Sequence, residues 1–280
     1  MNNAFQKYYT LIAVCLYSWG SMANPPLATK KQVEAFRNTT TCVVLENDNI
    51  SYSTNIKDAV QKYWKSTKFE FIGLKEFDSM RSDPRYSFIL LTNRVFDKDP
   101  AGISYTCLSL LLADTAKDIN NMPELCSVPV SYSDDNNADL SYVIPSVVQF
   151  MQKHCINLEN RHLLIAISGL TYYNGSKQIT DKVLLLNKHR MAKNADSVEK
   201  IRKVYEFQVK LLTDAEIETE LAANGNVLFD YHVGPQAGAA AGKCFDMIFD
   251  TAGNLYYFHG RQITNMQEDG FNLDDFNRIR

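Results

Sequence analysis

Apolar residues fall along this chain in two alternating rhythms: short continuous runs, and stretches in which they recur every three or four positions. Residues 40–47 (TTCVVLEN) form a β-branched, unbroken apolar run, the pattern of a buried strand. In NIKDAVQKYW the residues Ile56, Ala59, Val60 and Tyr63 fall at i, i+3, i+4 and i+7, one stripe of a helix. FEFI at 69–72, a short helical LKEFDSM, YSFILLT at 86–92 and ISYTCLSLLLA at 103–113 complete the series as strand, helix, strand and strand. Asp83-Pro84 and Asp99-Pro100 mark loops before the last two.

The same order returns from Lys182 onward. KVLLLNK is the strand and SVEKIRKVY the helix, with Val198, Ile201 and Tyr205 in its stripe. FQVKLL matches FEFIGL. TDAEIETEL opens with a capping box, Thr213 with Glu216. NVLFDYHV matches YSFILLT, and KCFDMIFD matches YTCLSLL with Cys244 set on Cys107. Strands alternating with helices predict parallel pairs, right-handed crossovers and helices packed on the sheet. The closing strands, joined by short turns such as 251–254, predict antiparallel pairs. The expected fold is therefore α/β: two tandem, duplicated modules, each a mixed sheet ordered strand-helix-strand-helix-strand-strand. The expected divisions are a leader at 1–23, a first module at 24–135, a linker and connecting helix at 136–160, and a second module at 161–280. The helix within that connection is expected over 144–155, with Pro145 in its first turn. HLLIAISGLTYY, from 162, fits a strand or a helix equally well.

CVVLEN, IKDAVQKYW, FEFI and RSDPRYSFILLT, followed by KIRKVYEFQVKLLTDAEI and CFDMIFDTAGNLYYFH, together resemble a family of exported, uncharacterised tandem α/β proteins of Bacteroidetes. The resemblance covers most of the chain after the leader. It implies export and duplication, and it names no catalytic residue.

The N-terminus supports export independently. Lys7 precedes an apolar run from Tyr8 to Leu16, and Ser21-Met22-Ala23 is the small-x-small pattern at which a signal peptide is cleaved, here after Ala23. The run is shorter than the roughly 20 apolar residues a membrane span needs. With 29 basic residues against 32 acidic, a net charge of −3, the chain lacks the excess that neutralises phosphates, which argues against nucleic acid. After Ala23 the cysteines are Cys42, Cys107, Cys126, Cys155 and Cys244, with no CxxC and no Cys/His cluster in sequence. Cys126 and Cys155 flank a loop and a helix and are the candidate disulfide pair for an oxidising compartment.

GPQAGAAAGKC, residues 234–244, has the look of a phosphate loop. The GxxxxGK[ST] pattern places Ala237 at its first glycine and Cys244 at its hydroxyl, and strands flank it on both sides, so no nucleotide is expected. There is no G-x-S-x-G elbow, and His154 and Cys155 are helix neighbours expected to point apart, an exposed histidine beside a buried thiol. One polar set remains. Asp230 and His232 share a strand face opposite Phe229, Tyr231 and Val233. Asp246 and Asp250 lie opposite Phe245, Met247 and Phe249, and His259 ends the next strand. If the strands are neighbours, Asp230, His232, Asp246 and His259 gather on one face, a donor set for a metal; the same alternation also describes a solvated sheet face.

The sequence thus predicts an exported protein, periplasmic or at the cell surface, without an identified catalytic or cofactor-binding residue and without a cofactor. Its leading reading is a non-enzymatic binding or scaffolding protein with an envelope protein or glycan as partner. The alternative is an envelope hydrolase or other metal-dependent enzyme using the polar face of the second module.

Overall fold

The computed structural model describes residues 25–279 except 97–98, 100, 134–138, 177–178, 180, 224, 236–238 and 240, and of Gln267 the backbone only. The expected leader, with its cleavage point at Ala23, lies outside the described residues.

Two five-stranded mixed sheets form the frame. The first contains β1 (Thr40–Leu45), β2 (Lys68–Gly73), β3 (Tyr86–Val95), β4 (Ser104–Leu112) and β5 (Glu124–Tyr132), in the spatial order β2-β1-β3-β4-β5. The second contains β6 (Val183–Asn187), β7 (Val209–Leu212), β8 (Val227–Val233), β9 (Gly242–Asp250) and β10 (Leu255–Ile263), in the order β7-β6-β8-β9-β10. Each module's first strand pairs in parallel with its second and third, and its last two pairings are antiparallel. The duplicated order read from the sequence is therefore the topology of both sheets. Each gains a fifth strand beyond the shared pattern; β5 (ELCSVPVSY) carries Pro129 and has no clean alternation.

The helices α1 (Lys30–Phe36), α2 (Ile50–Tyr63), α3 (Leu74–Met80), α4 (Val143–Ser168), α5 (Val198–Ile201), α6 (Asp214–Ala223) and α7 (Leu273–Ile279) pack on these sheets. Helix α2 starts where Asn49 accepts the Tyr52 amide at 3.0 Å and buries Tyr52, Ile56, Ala59 and Val60; of the stripe read from the sequence, Ile56, Ala59 and Val60 are buried and Tyr63 is half-exposed. Helix α4 settles the open stretch after 162 as helix: the chain kinks at Arg161, whose φ −133° and ψ 32° are not helical, and is helical again from there to Ser168. No helix among the described residues is long and apolar enough to cross a membrane.

One core joins the modules. Val43, Ile89 and Leu110 of the first sheet share it with Leu185, Phe229 and Phe249 of the second, together with α2 and α4. Direct bonds cross as well: the Tyr231 hydroxyl donates to the Val130 carbonyl at 2.6 Å, and the Tyr105 hydroxyl donates to the Lys243 carbonyl at 2.8 Å.

Three local expectations change. The helix expected over 197–205 is helical only from Val198 to Ile201, yet Tyr205 is still 1% exposed in the second core; in the first module Trp64, at 4%, is buried where Tyr63 is half-exposed. Cys126 and Cys155 are both buried free thiols, not a disulfide. Cys244 is not the counterpart of Cys107. The ladders run Val43, Ile89, Leu110 and Leu185, Phe229, Phe249, and three residues further along β3 and β8 they bring Thr92 opposite Cys107 but His232 opposite Asp246. Cys244 lies two residues before that counterpart, where no sequence match marks it.

Candidate metal centre

Strands β8, β9 and β10 are neighbours, so the four candidate residues do share one face. His232 stands opposite Asp246, and Asp246 opposite His259. The face is not solvated. Asp230 and Asp246 are fully buried and His232 is 6% exposed, because the C-terminal segment lies over them. That cover is pinned by backbone bonds: the Phe271 amide donates to the Arg190 carbonyl at 2.9 Å and the Ala192 amide to the Phe271 carbonyl at 3.0 Å. Gly270 makes the turn at φ +109°, where a Cβ would strike the backbone at Met191 and Ala192. From β10, the Arg261 guanidinium donates to the carbonyls of Glu268 and Gly270 on either side of Asp269. Asp269 is thereby held over the sheet. Gly234 is the matching concession just after β8, since a Cβ there would overlap the Asp269 carboxylate.

Two clusters result. In the first, His232 Nε2 lies 2.8 Å from Asp269 Oδ1, and the Cys244 thiol donates to the same oxygen at 3.1 Å. The other ring nitrogen, Nδ1, is 2.6 Å from Asp246 Oδ1. Behind it, Asp246 Oδ2 has only Arg261, at 3.4 Å. In the second cluster Asp246, His259 and Asp275 approach one another. There Asp275 is already spent: Oδ1 accepts from the Tyr257 hydroxyl at 2.8 Å and faces His259 Nδ1 at 2.7 Å, while Oδ2 accepts the Asn272 amide at 3.0 Å. Asn272 in turn accepts the Asp275 amide at 3.2 Å, so this carboxylate anchors the start of α7. Asp230 stands apart. Its Oδ1 accepts the Asn187 amide at 2.8 Å, its Oδ2 has no hydrogen-bond partner among the described residues, and burial pushes its pKa up to about 7.

Electrostatics distinguish the first cluster. Burial by itself would lower the His232 pKa, but the charge and hydrogen bond of Asp246, with the hydrogen bond to Asp269, hold it well above the usual range. A carboxylate at each ring nitrogen favours the protonated imidazole. A cation at Nε2 would take the place of one proton, of the thiol proton, and of the hydrogen bonds to Asp269. Zinc bonds of about 2.0–2.3 Å place tetrahedral donors roughly 3.3–3.7 Å apart, so the His232–Asp269 and Cys244–Asp269 pairs need open by only about half an ångström. Asp246 then does what a metal-bound histidine requires of its second nitrogen: it fixes the tautomer and the ring plane. Asp269, 26% exposed, borders a cleft of about 320 Å³ walled by Val130, Tyr132, Arg190, Tyr231, Pro235 and Met266.

Of the residues read from the sequence, His232 and Asp246 belong to this centre, His259 belongs to the neighbouring anchor, and Asp230 is in neither cluster. Cys244 and Asp269 were the residues missed. Parity along β9 places Cys244 on the Asp246 face, a signal present in the sequence; Asp269 lies in a turn with no periodicity to reveal it.

The other sequence motifs acquire definite places. The stretch 234–244 joins two antiparallel strands with no helix after it, although residues 236–238 and 240 lie outside those described. His154 is not on the surface: it is 3% exposed, with Nδ1 2.8 Å from the Tyr173 hydroxyl, and burial pushes its pKa down to about 4. Burial raises the Cys155 thiol to about 12, far from a thiolate nucleophile. Comparison with protein-family models, with curated proteins and with solved structures found no match to this chain.

Proposed function

We propose that this protein binds one transition-metal ion of the zinc class at His232, Cys244 and Asp269 and presents it to the adjoining cleft. The observation that carries the reading is the convergence of an imidazole nitrogen, a thiol and a carboxylate from β8, β9 and the 264–270 turn, with the second imidazole nitrogen held by a fully buried aspartate. Sulfur and imidazole donors favour zinc over the oxygen-seeking cations magnesium and calcium. Three protein ligands leave a fourth position, the arrangement of catalytic rather than structural zinc. Such an ion polarises a carbonyl or phosphoryl oxygen and lowers the pKa of a bound water. The geometry therefore supports the metal-dependent alternative over a passive scaffold, and hydrolytic chemistry is the reaction class it suits. Export to the envelope, expected from residues 1–23, is the setting of this proposal.

Metal analysis of the full chain, loaded with zinc and dialysed, tests the reading. About one equivalent per chain is expected, as a single three-donor site holds one ion. It should be lost in His232→Ala and in Cys244→Ser and kept in His162→Ala, whose ring reaches the Ala28 carbonyl on the far side of α4. Wild-type protein that retains no metal, or Cys244→Ser protein that retains as much as wild type, would overturn it. Edman sequencing of protein recovered from the source organism tests the setting: a start at Asn24 supports export, and a start at Met1 refutes it.

A further inference from the structure

We propose that Arg190 makes the cleft beside this centre a site for a small oxyanion, a carboxylate or phosphate group, gripped by the guanidinium on one side and open to the ion on the other. The inference deepens the metal reading and rests on it for the second contact.

Arg190 has more donors than the protein around it uses. A guanidinium carries five N–H bonds. Here Nη1 donates to the His232 carbonyl at 3.2 Å and the Tyr231 hydroxyl is a second partner, while the carboxylate oxygen Asp214 Oδ1 is 3.9 Å from Nη2, beyond hydrogen-bond reach. That oxygen already accepts from Asn187 Nδ2 at 2.7 Å and from the Tyr142 hydroxyl at 3.0 Å, so it is not waiting for Arg190. The guanidinium lies over the Tyr231 ring, 5.0 Å from its centroid, which fixes its plane. Its side chain is 24% exposed, and the exposed part forms the wall of the cleft that Asp269 also borders. A fixed cation largely withdrawn from water and lining a cavity is the environment that binds carboxylates and phosphates in a two-pronged grip. The cleft volume, about 320 Å³, is at the lower end for small-molecule sites, so the occupant is one small acid or one acidic group of a larger substrate.

The test is chemical protection of Arg190 in the full-length protein. Phenylglyoxal modification is followed by peptide mass spectrometry while inorganic phosphate or acetate is titrated in separate arms, with zinc-loaded and metal-free protein. Arg85, whose side chain is 76% exposed, is the internal control. Arg190 modification should slow severalfold with one of the anions, at lower anion concentration when zinc is present, while Arg85 is unaffected; the more effective anion assigns the group. A rate at Arg190 that neither anion changes, or an Arg190 that the reagent does not reach even without anions, would overturn the proposal. If zinc fails to bind but phosphate or acetate still protects, the anion site stands and the metal reading falls. Arg190→Lys, which keeps the charge but loses the fork, should bind the better anion about tenfold more weakly by calorimetry with zinc stoichiometry unchanged. Equal affinity in that variant also counts against Arg190.

Discussion

The outward faces of the two sheets differ far more than their backbones do. Strand order, direction and the core-facing ladder positions correspond, yet the first sheet closes its outer face with Val44, Phe88, Leu90 and Leu111 under Phe77 of α3, an apolar seal in which the Phe77 and Phe88 rings meet edge to face at 4.9 Å. On the second sheet the place of Leu90 is held by Asp230, that of Thr92 by His232, and that of Cys107 by Asp246. A polar face of this kind, once covered, must satisfy its charges internally, and the cover supplies Asp269 and Asp275 for that purpose. The first sheet answers its own polar positions with neutral and paired groups. The Thr92 and Ser109 hydroxyls lie 2.7 Å apart, and Arg94 meets Glu124 at 2.6 Å. The frame supports either solution, and the second sheet's outer face is where the two clusters of donor side chains gather.

Exchanging the two solutions should fail, and that is the largest effect expected. Leu90→Asp puts the second sheet's residue into the first sheet's apolar seal beside Val44, Phe88 and Phe77, with Arg94, already paired to Glu124, reaching only as far as Ser109 opposite it. A loss of about 3–5 kcal/mol is expected in urea unfolding, because a charge is buried among apolar side chains and its one neighbouring cation is already taken. A loss under about 1 kcal/mol, the size of an ordinary surface change, would mean that the seal is wetter than the packing indicates.

The inward faces should behave alike. Phe229→Ala and its first-sheet counterpart Ile89→Ala each open a cavity in the common core, at a cost of about 3–5 and 2–5 kcal/mol respectively. Because the core is common, both variants should shift one unfolding transition as a whole. Two separable transitions would show that the modules are energetically independent.

A smaller effect distinguishes the modules' shared core by pH. His154 is neutral and buried, with its pKa down at about 4 against about 6.5 in the unfolded chain. The unfolded state therefore binds the extra proton between those values: stability is fully present above pH 6.5 and declines as pH falls through 4, by roughly 3 kcal/mol for this group. His154→Leu should flatten that part of the stability curve. An unchanged slope would assign the acid sensitivity elsewhere.

The smallest effect concerns the paired capping motifs. Thr213 accepts the Glu216 amide at 3.3 Å, and Thr29 accepts the Gln32 amide at 3.4 Å. Replacing either threonine with Ala should cost about 1 kcal/mol. A cost near zero at one position and not at the other would show that one helix start is held by packing alone.

What could be read in advance follows from periodicity. CVVLEN and KVLLLN announced themselves because strands buried on both faces are continuous apolar runs, and Ile56, Ala59 and Val60 because a helix must bury a stripe. The fifth strand of the first sheet hid behind Pro129, and the end of α4 hid because an apolar run of that length suits two structures. The centre was half legible. Alternation in LFDYHV and CFDMIFD placed Asp230, His232 and Asp246 together, but the same alternation describes a face open to water or one under a cover. Which of the two holds depends on residues 264–279, joined to the sheet through turns and long-range contacts. Matching cysteine to cysteine also misled, since Cys107 pairs opposite Thr92 while Cys244 reaches Asp269 through tertiary structure alone.

Anomalous scattering from a crystal of the zinc-loaded protein locates the ion itself. One peak is expected at the edge of the cleft, within about 2.0–2.3 Å of His232 Nε2, Cys244 Sγ and a carboxylate oxygen of Asp269, with Asp246 still on Nδ1. No peak there, or a peak among Asp246, His259 and Asp275 instead, would contradict the proposed centre.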